Sequence, residues 1–201
     1  MRKAYLFMAA TFLAAIAASA ASAQTAPNRQ GFYADLGVNY TVPTITATNG
    51  ISTEKESGGG VGYSLGLGIG LKNNKTRIGL EVDYFKVSDV FGASGLSNTV
   101  IDYTAVGTFY PSANNLWLRL NLGYGTAELS GSGNSSSAGG FVWGLGIGYD
   151  MMLGKGGVAL VPFISYLNLN RTDDFGGALA GQNVYAKVAM WQFGVSLGLK
   201  H

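Results

Sequence analysis

The stretch VGYSLGLGIGL, residues 61–71, decides the fold class of this chain. Bulky residues stand at every second position from Val61 to Leu71, and only glycine and serine stand between them. Successive side chains of a strand point to opposite faces, so this period of two predicts a β-strand with one bulky apolar face and one small face.

The same alternation recurs along most of the chain. It is clear in residues 32–40, 78–84, 101–109, 115–125, 141–149 and 189–199, and weaker in residues 157–170. We find no convincing helical spacing beyond Gln30. Together with residues 61–71, these segments predict an all-β chain of eight strands.

Two lengths of connection alternate between the predicted strands. Residues 72–75, 111–114 and 153–156 are expected to form short turns, and residues 47–59, 91–98, 130–138 and 173–183 longer polar loops. An up-and-down order then places the short turns and both termini at one end and the long loops at the other, as in barrels of the bacterial outer membrane. We therefore predict an eight-stranded antiparallel up-and-down transmembrane β-barrel, closed so that no strand edge meets lipid.

The composition indicates which face meets lipid. Charged residues make up 12% of the chain, about half the usual fraction. A water-facing exterior would be rich in Lys and Glu, whereas the face opposite the bulky residues carries mostly Gly, Ser and Asn with isolated charges. We expect the bulky face to point outward into lipid; the alternative is a lipocalin-like soluble barrel with that face in its core.

Aromatic residues near the strand ends predict two interfacial belts. Those expected on the loop side are Tyr40, Tyr63, Tyr84, Tyr103, Tyr124, Phe141, Trp143 and Trp191, and those on the turn side are Phe32, Phe109 and Tyr149.

The first residues have the features of an export signal. Arg2 and Lys3 precede an apolar stretch, and Ala21-Ser22-Ala23 matches a cleavage site. We expect residues 1–23 to be a signal peptide and residues 24–201 the barrel domain, with a retained membrane helix as the alternative.

Without Arg2 and Lys3, the eleven remaining basic residues balance the eleven acidic ones, which argues against a nucleic-acid partner. The absence of cysteine indicates an exported chain without disulfides.

One predicted strand departs from the pattern. Pro162 would remove a ladder donor within residues 157–170, and beyond Tyr166 the apolar phase shifts to Leu167 and Leu169. We expect a β-bulge there, towards the outer end of the strand.

The C-terminus carries the most specific motif. Apolar residues alternate through Phe193, Val195, Leu197 and Leu199, and the next residue in this register is His201. With this ending, the whole predicted mature chain resembles the small eight-stranded outer-membrane barrels of the OmpA/OmpX type, in its barrel-only members. The resemblance implies outer-membrane localisation, contact with outer-membrane lipids and lipopolysaccharide, and recognition of the C-terminal register by the insertion machinery. Members usually end in Phe, and His201 departs from that pattern.

Six charged residues are predicted on the lumen face: Asp35, Arg77, Glu81, Asp83, Asp102 and Arg119. Counted from the turn end, Asp35, Glu81 and Arg119 fall at similar heights, so we expect Arg119 to pair with Glu81 or Asp35. Since an eight-stranded barrel has room only for side chains, buried ion pairs that fill the core are one interpretation. The other is a gate in which a change of partner opens a narrow water path.

The chain offers little for catalysis. Its only histidine is His201, it has no thiol, and no nucleophile–base pair or His-centred metal site can be assembled. The lipid-A-modifying hydrolases of the family depend on an internal histidine that this chain lacks. The glycine-rich runs 66–70 and 144–148 lie within predicted strands with no helix after them, so they do not predict a nucleotide site. We expect no enzymatic activity, cofactor or metal.

Three cations near the loop end, Lys86, Arg171 and Lys187, are candidates for binding lipopolysaccharide phosphates; ordinary solvated rim charges are the alternative. The expected role is structural or surface interaction, with an extracellular partner that the sequence does not identify. The second hypothesis is a narrow pore or lateral-exit conduit for small apolar solutes.

Overall fold

The computed structural model describes residues 29–48, 53–88, 95–111, 115–131, 133–154, 157–171 and 185–200. Ten strands lie within these ranges: β1 Gly31–Thr48, β2 Thr53–Ser57, β3 Gly60–Gly70, β4 Thr76–Ser88, β5 Ser97–Phe109, β6 Leu116–Gly131, β7 Asn134–Tyr149, β8 Met151–Met152, β9 Val158–Arg171 and β10 Tyr185–Lys200. In these ranges there is no helix of the length and apolarity that a membrane crossing requires.

The strands form one closed antiparallel barrel. Their order is β10, β1, β3, β4, β5, β6, β7 and β9, and β9 pairs with β10 to complete the circle. The short strands are continuations: β2 follows the line of β3 along β1, and β8 follows the line of β7 along β9. The barrel wall therefore has eight strands, which confirms the predicted fold class.

Residues that pair side by side on successive strands form a row around the barrel. Each row rises towards the loop end as it circles the barrel. The row that contains Asp35 of β1 passes through Glu81 of β4 and Val142 of β7, and returns to β1 at Ile45, ten residues nearer the loop end. Such a stagger tilts the strands and sets the width of the interior. It also places residues of β7, β9 and β10 nearer the loop end than their row neighbours on β3 and β4.

The bulky face points outward, as predicted. Leu80 is 69% exposed and Leu36 63% exposed, in a band of apolar side chains around the barrel. This much apolar surface suits hydrocarbon and not water. Tyr103 and Tyr124 face outward at the loop side of this band, whereas Tyr149, expected in the turn-side belt, is buried.

Two expected loops are instead largely β-structure. The predicted loop 130–138 is wrong, because β6 continues to Gly131 and β7 begins at Asn134, with a left-handed Gly133 (φ 81°) in the connection. In the predicted loop 47–59, β2 pairs with the end of β1. Polar strands that stand in water have the composition of loops, and their pairing satisfies the same backbone groups. The expected loop 173–183 lies outside the described residues.

The bulge expected after Tyr166 is absent from the described part of β9. Leu167 and Leu169 pair with Met190 and Val188 in the register that joins Tyr166 to Trp191. Both leucines face the lumen, so the apolar character moves from the outer face to the inner face while the register stays unchanged. The β7–β9 ladder is interrupted near the turn end instead, beside Pro162, which has no N–H to donate.

Candidate functional site in the barrel lumen

A buried ion pair lies in the middle of the lumen. Nη1 of Arg119 on β6 donates to Oε2 of Glu81 on β4 over 2.6 Å. Nδ2 of Asn121 donates to Oε1 of Glu81 at 2.9 Å and also reaches the hydroxyl of Thr104 at 3.2 Å. The Arg119 guanidinium stacks on the ring of Trp117, 4.6 Å from its centroid. Both carboxylate oxygens of Glu81 are thus hydrogen-bonded, which stabilises its charge in a low-dielectric interior.

The other predicted acidic residues lie around this pair. Asp35 lines a small void together with Arg119 and Arg77. Asp83 and Asp102 lie directly opposite each other on β4 and β5, and both are buried. Oδ2 of Asp83 and Oδ1 of Asp102 accept no hydrogen bond from the groups that the structure describes.

A second polar cluster lies in the lumen at the turn end. Nη1 of Arg77 donates to the hydroxyl of Tyr110 at 2.7 Å, and that hydroxyl donates to Oδ2 of Asp150 at 2.8 Å. Arg77 and Asp150 also form an ion pair at 3.6 Å. Burial, with the added negative charge of Asp150, raises the pKa of Tyr110 well above its usual value, so this hydroxyl stays protonated and keeps donating.

Arg29 joins the turns across this end of the barrel. Its guanidinium lies 4.0 Å from the ring centroid of Tyr110, and Nη2 donates to Oδ1 of Asn115 at 3.3 Å. Its backbone N–H donates to Oδ1 of Asn74 at 2.6 Å, in the turn between β3 and β4. Sequence reasoning missed Arg29, Tyr110 and Asp150. The signal was available, because the alternation of β1, β5 and β7 places these residues inward when it is continued past the strand ends.

The lumen is less polar than expected. An apolar cluster lies at its loop end, and the buried members are Ile45, Phe85, Val87, Val100, Ala127, Val142, Leu167, Leu169, Val188 and Met190. A smaller cluster near the turn end contains Tyr110, Trp117, Ala159, Val161 and Phe163. The inward-facing apolar residues were hidden in the sequence, since the outer faces of the same strands are apolar as well.

Inward-facing glycines make room for these side chains. A Cβ atom on Gly148 would overlap the indole ring of Trp117, whereas one on Gly146 would meet only ordinary contacts at 3.4–3.5 Å. The glycines of the run 144–148 therefore have different packing roles.

Two small voids, each about 10 Å³, lie in the lumen. One is lined by Glu81 and Asp83, the other by Asp35 and Asp150, and both are lined by Arg119. A void of this size holds about one water molecule. Arg119 thus stands between two polar spaces of single-water size.

The predicted rim cations do not form one patch. Lys86 is exposed on β4, whereas Lys187 is exposed on β10, three strands away around the barrel. The backbone of Arg171 ends β9 beside β10, and its side chain lies outside the described residues. Any contact with lipopolysaccharide would therefore occur on separate sides of the barrel.

The C-terminal register lies on the outer face of β10. Val195, Leu197 and Leu199 are exposed on the lipid side, and Phe193 is half-buried on the same face of the strand. His201 lies outside the described residues.

The carboxylates of the described ranges do not form a metal centre. No group of three or more His, Cys, Asp or Glu residues there has an arrangement that could hold a metal ion. The carboxylates near Arg119 are instead engaged in, or packed beside, the lumen network.

Comparison with known proteins agrees with this architecture. Two solved structures have the same fold: Neisserial surface protein A, at 13% identity over 83% of this chain and 97% of that chain (TM-score 0.52), and the attachment invasion locus protein Ail of Yersinia pestis, at 18% identity over 84% of this chain and 99% of that chain (TM-score 0.54). The outer membrane protein AlkL is similar at 11% identity over 90% of this chain and 95% of that chain (TM-score 0.52).

No curated protein matches the chain by sequence. Residues 10–198 match the family model of the outer membrane protein beta-barrel domain. The chain therefore belongs to this family of bacterial outer-membrane barrels.

Proposed function

We propose that this barrel has a structural or surface-interaction role and that its lumen is filled by its own side chains. The observation that carries the proposal is the layering of the described lumen. Arg29 and Tyr110 lie at the turn end, the Arg119–Glu81 pair in the middle, and the apolar cluster around Phe85 at the loop end. One void lies between the first two layers and the other lies beside the ion pair, and each has room for about one water molecule.

The same observations support a non-enzymatic role. A substrate would need access to the lumen carboxylates, and Glu81 is already bonded through both oxygens. On the outer face, the side chains along the membrane band are apolar. Among the described residues, neither place offers a nucleophile–base pair with room for a reacting group.

Exposed polar and basic residues at the loop end of the barrel support a role in surface interaction. The β6–β7 hairpin continues beyond Tyr124 and Phe141 with exposed polar residues such as Glu128 and Ser135, so it stands above the aromatic belt. Lys86 and Lys187 lie at the rim, where they can meet lipopolysaccharide phosphates. The outward register from Phe193 to Leu199 supports recognition by the insertion machinery during assembly.

The proposal is tested by refolding the chain in detergent and in liposomes. A band that shifts on heating in gel electrophoresis identifies the folded barrel. Liposomes that contain it should not swell faster in small sugars than empty liposomes. Swelling at the rate that a porin produces would contradict a filled lumen.

A narrow pore is the second candidate, and the two voids on either side of Arg119 favour it. If Arg119 moved from Glu81 to Asp35, which lines the second void, the two spaces could join. A lateral exit has weaker support, from the interrupted ladder beside Pro162. Arg119→Ala separates the candidates, since it should create fluctuating conductance only if this side chain blocks a continuous path.

A further inference from the structure

A polar side chain faces outward within the loop-side aromatic belt. Asn168 of β9 is 3% exposed, and its Nδ2 donates to the hydroxyl of Tyr166 at 3.0 Å. Its Oδ1 is buried and accepts no hydrogen bond within the described residues. If the amide were turned end for end, Tyr166 would pair with the oxygen and leave the nitrogen unpaired instead. One amide atom lacks a partner in either case, and a buried amide without a partner is costly.

Aromatic rings surround this amide. Tyr166 lies 5.1 Å from Trp191 and 5.7 Å from Trp143 between ring centroids, in tilted contacts. Trp143 lies directly opposite Asn168 on β7, and Ala189 lies opposite on β10. Ala189 lies between Lys187 and Trp191 on the outward face of β10.

Polar groups continue this surface towards the loop end. Asn170 faces outward two residues beyond Asn168, and Lys187 lies directly opposite Asn170 on β10. We call the following six residues the Asn168 patch: Trp143, Tyr166, Asn168, Asn170, Lys187 and Trp191.

We propose that the Asn168 patch binds the sugar-phosphate headgroup of an outer-leaflet glycolipid. The patch lies on the climbing rows of β7, β9 and β10, at the loop-side aromatic belt where headgroups begin. Tryptophan and tyrosine rings pack against the apolar faces of sugars while their polar ends stay wet. The unpaired amide oxygen of Asn168 is the acceptor for a sugar hydroxyl once a neighbouring ring turns aside to uncover it, and Lys187 attracts a phosphate.

This inference gives a specific site to the lipopolysaccharide contact proposed above. It depends on that proposal only through Lys187, which belongs to both. The amide and the aromatic rings add a sugar requirement that rim cations do not have. A sugar-free anionic lipid should therefore bind the patch poorly, although it would satisfy Lys187.

The test uses the full chain in nanodiscs that contain either purified lipopolysaccharide or phosphatidylglycerol, with retained lipid measured by native mass spectrometry after detergent extraction. Asn168→Leu should lower lipopolysaccharide retention about three- to tenfold, the effect of one lost hydrogen bond. Tyr103→Leu, which removes an exposed belt aromatic on β5, is the matched control and should leave retention unchanged. Phosphatidylglycerol retention should be the same in all three proteins.

Other outcomes would overturn the proposal. Equal lipopolysaccharide retention by wild type and Asn168→Leu contradicts the site even if the rim cations bind. Equal retention of phosphatidylglycerol and lipopolysaccharide by wild type contradicts the sugar requirement. A change of oligomeric state in Asn168→Leu with unchanged lipid retention identifies a protein interface instead. If Asn168→Leu does not fold, as judged by the heat-shifting band, Trp191→Leu repeats the test from the exposed edge of the patch.

Discussion

Arg119 and Glu81 form their 2.6 Å ion pair across an intervening strand, because β5 lies between β6 and β4. The pair is possible since the residue of β5 in the row of Glu81 is Thr104, whose short side chain leaves the lumen open above it. Thr104 also accepts a hydrogen bond from Asn121, which binds Glu81. The Glu81 carboxylate therefore links β4 directly to β6, and Asn121 extends the network to β5.

Removing one partner of this pair should destabilise the barrel strongly. Arg119→Ala leaves the Glu81 charge buried and is expected to cost about 3–5 kcal/mol in the free energy of unfolding. The measurement is urea unfolding of the barrel in lipid vesicles. The double variant with Glu81→Gln should be less destabilised than the sum of the single variants, and simple additivity would show that the two side chains are not coupled.

The turn-end cluster predicts an alkaline loss of stability. Burial, together with the negative charge of Asp150, raises the pKa of Tyr110 in the folded barrel above the unfolded value of about 10. From pH about 10 upward the unfolded chain gives up this proton first, so the free energy of unfolding falls with rising pH. Below that pH the contribution of Tyr110 is fully present.

Tyr110→Phe isolates this effect. Its loss of two hydrogen bonds, to Arg77 and Asp150, should lower stability at neutral pH by about 1–3 kcal/mol. The difference between wild type and variant should then shrink above pH about 10. A difference that stays constant up to pH 11 would contradict the placement of Tyr110 in the cluster.

Two glycines of the same strand should respond differently to a methyl group. Gly148→Ala places a Cβ into the ring of Trp117 and is expected to cost about 1–3 kcal/mol by overpacking. Gly146→Ala meets atoms no nearer than 3.4 Å and should be neutral or slightly stabilising. Urea unfolding midpoints of the two variants check this, and equal midpoints would rule out close packing of Trp117 against β7.

The rim cations should act from two sides of the barrel. Replacing Lys86, Arg171 and Lys187 together with Ser should weaken co-purification of lipopolysaccharide, because cationic attraction for its phosphates is lost. Arg171 on β9 and Lys187 on β10 should act independently of Lys86 on β4, because β1 and β3 lie between β10 and β4. Unchanged co-purification by the triple variant would assign all three to ordinary solvated charge.

Alternation alone was enough to predict the strand number, the outward face and the lumen side of residues such as Arg119 and Glu81. The pairing of these two followed from counting positions from the turns, since strand tilt and register are regular in a closed barrel. The cluster around Arg29 was missed because inward alternation continues past the last residues of the strands. Leu167 and Leu169 were misread as a bulge because an apolar residue gives no sign of whether it faces lipid or an apolar lumen layer.

The lengths of the loop-side hairpins also could not be predicted from the sequence. Residues 130–138 are rich in serine and glycine, a composition shared by loops and by strands with both faces polar. Only pairing with a neighbouring strand distinguishes the two, and that pairing depends on where the barrel register brings β6 and β7 together.

Planar-bilayer recording of the refolded wild-type chain tests most directly the proposal that the lumen is filled. The layers formed by Arg29, the Arg119–Glu81 pair and the apolar loop end predict a membrane as silent as a protein-free bilayer, with insertion verified by the heat-shifting band of the same sample. Reproducible steps of small, steady conductance from the wild-type protein would contradict the account and show a continuous water path through the barrel.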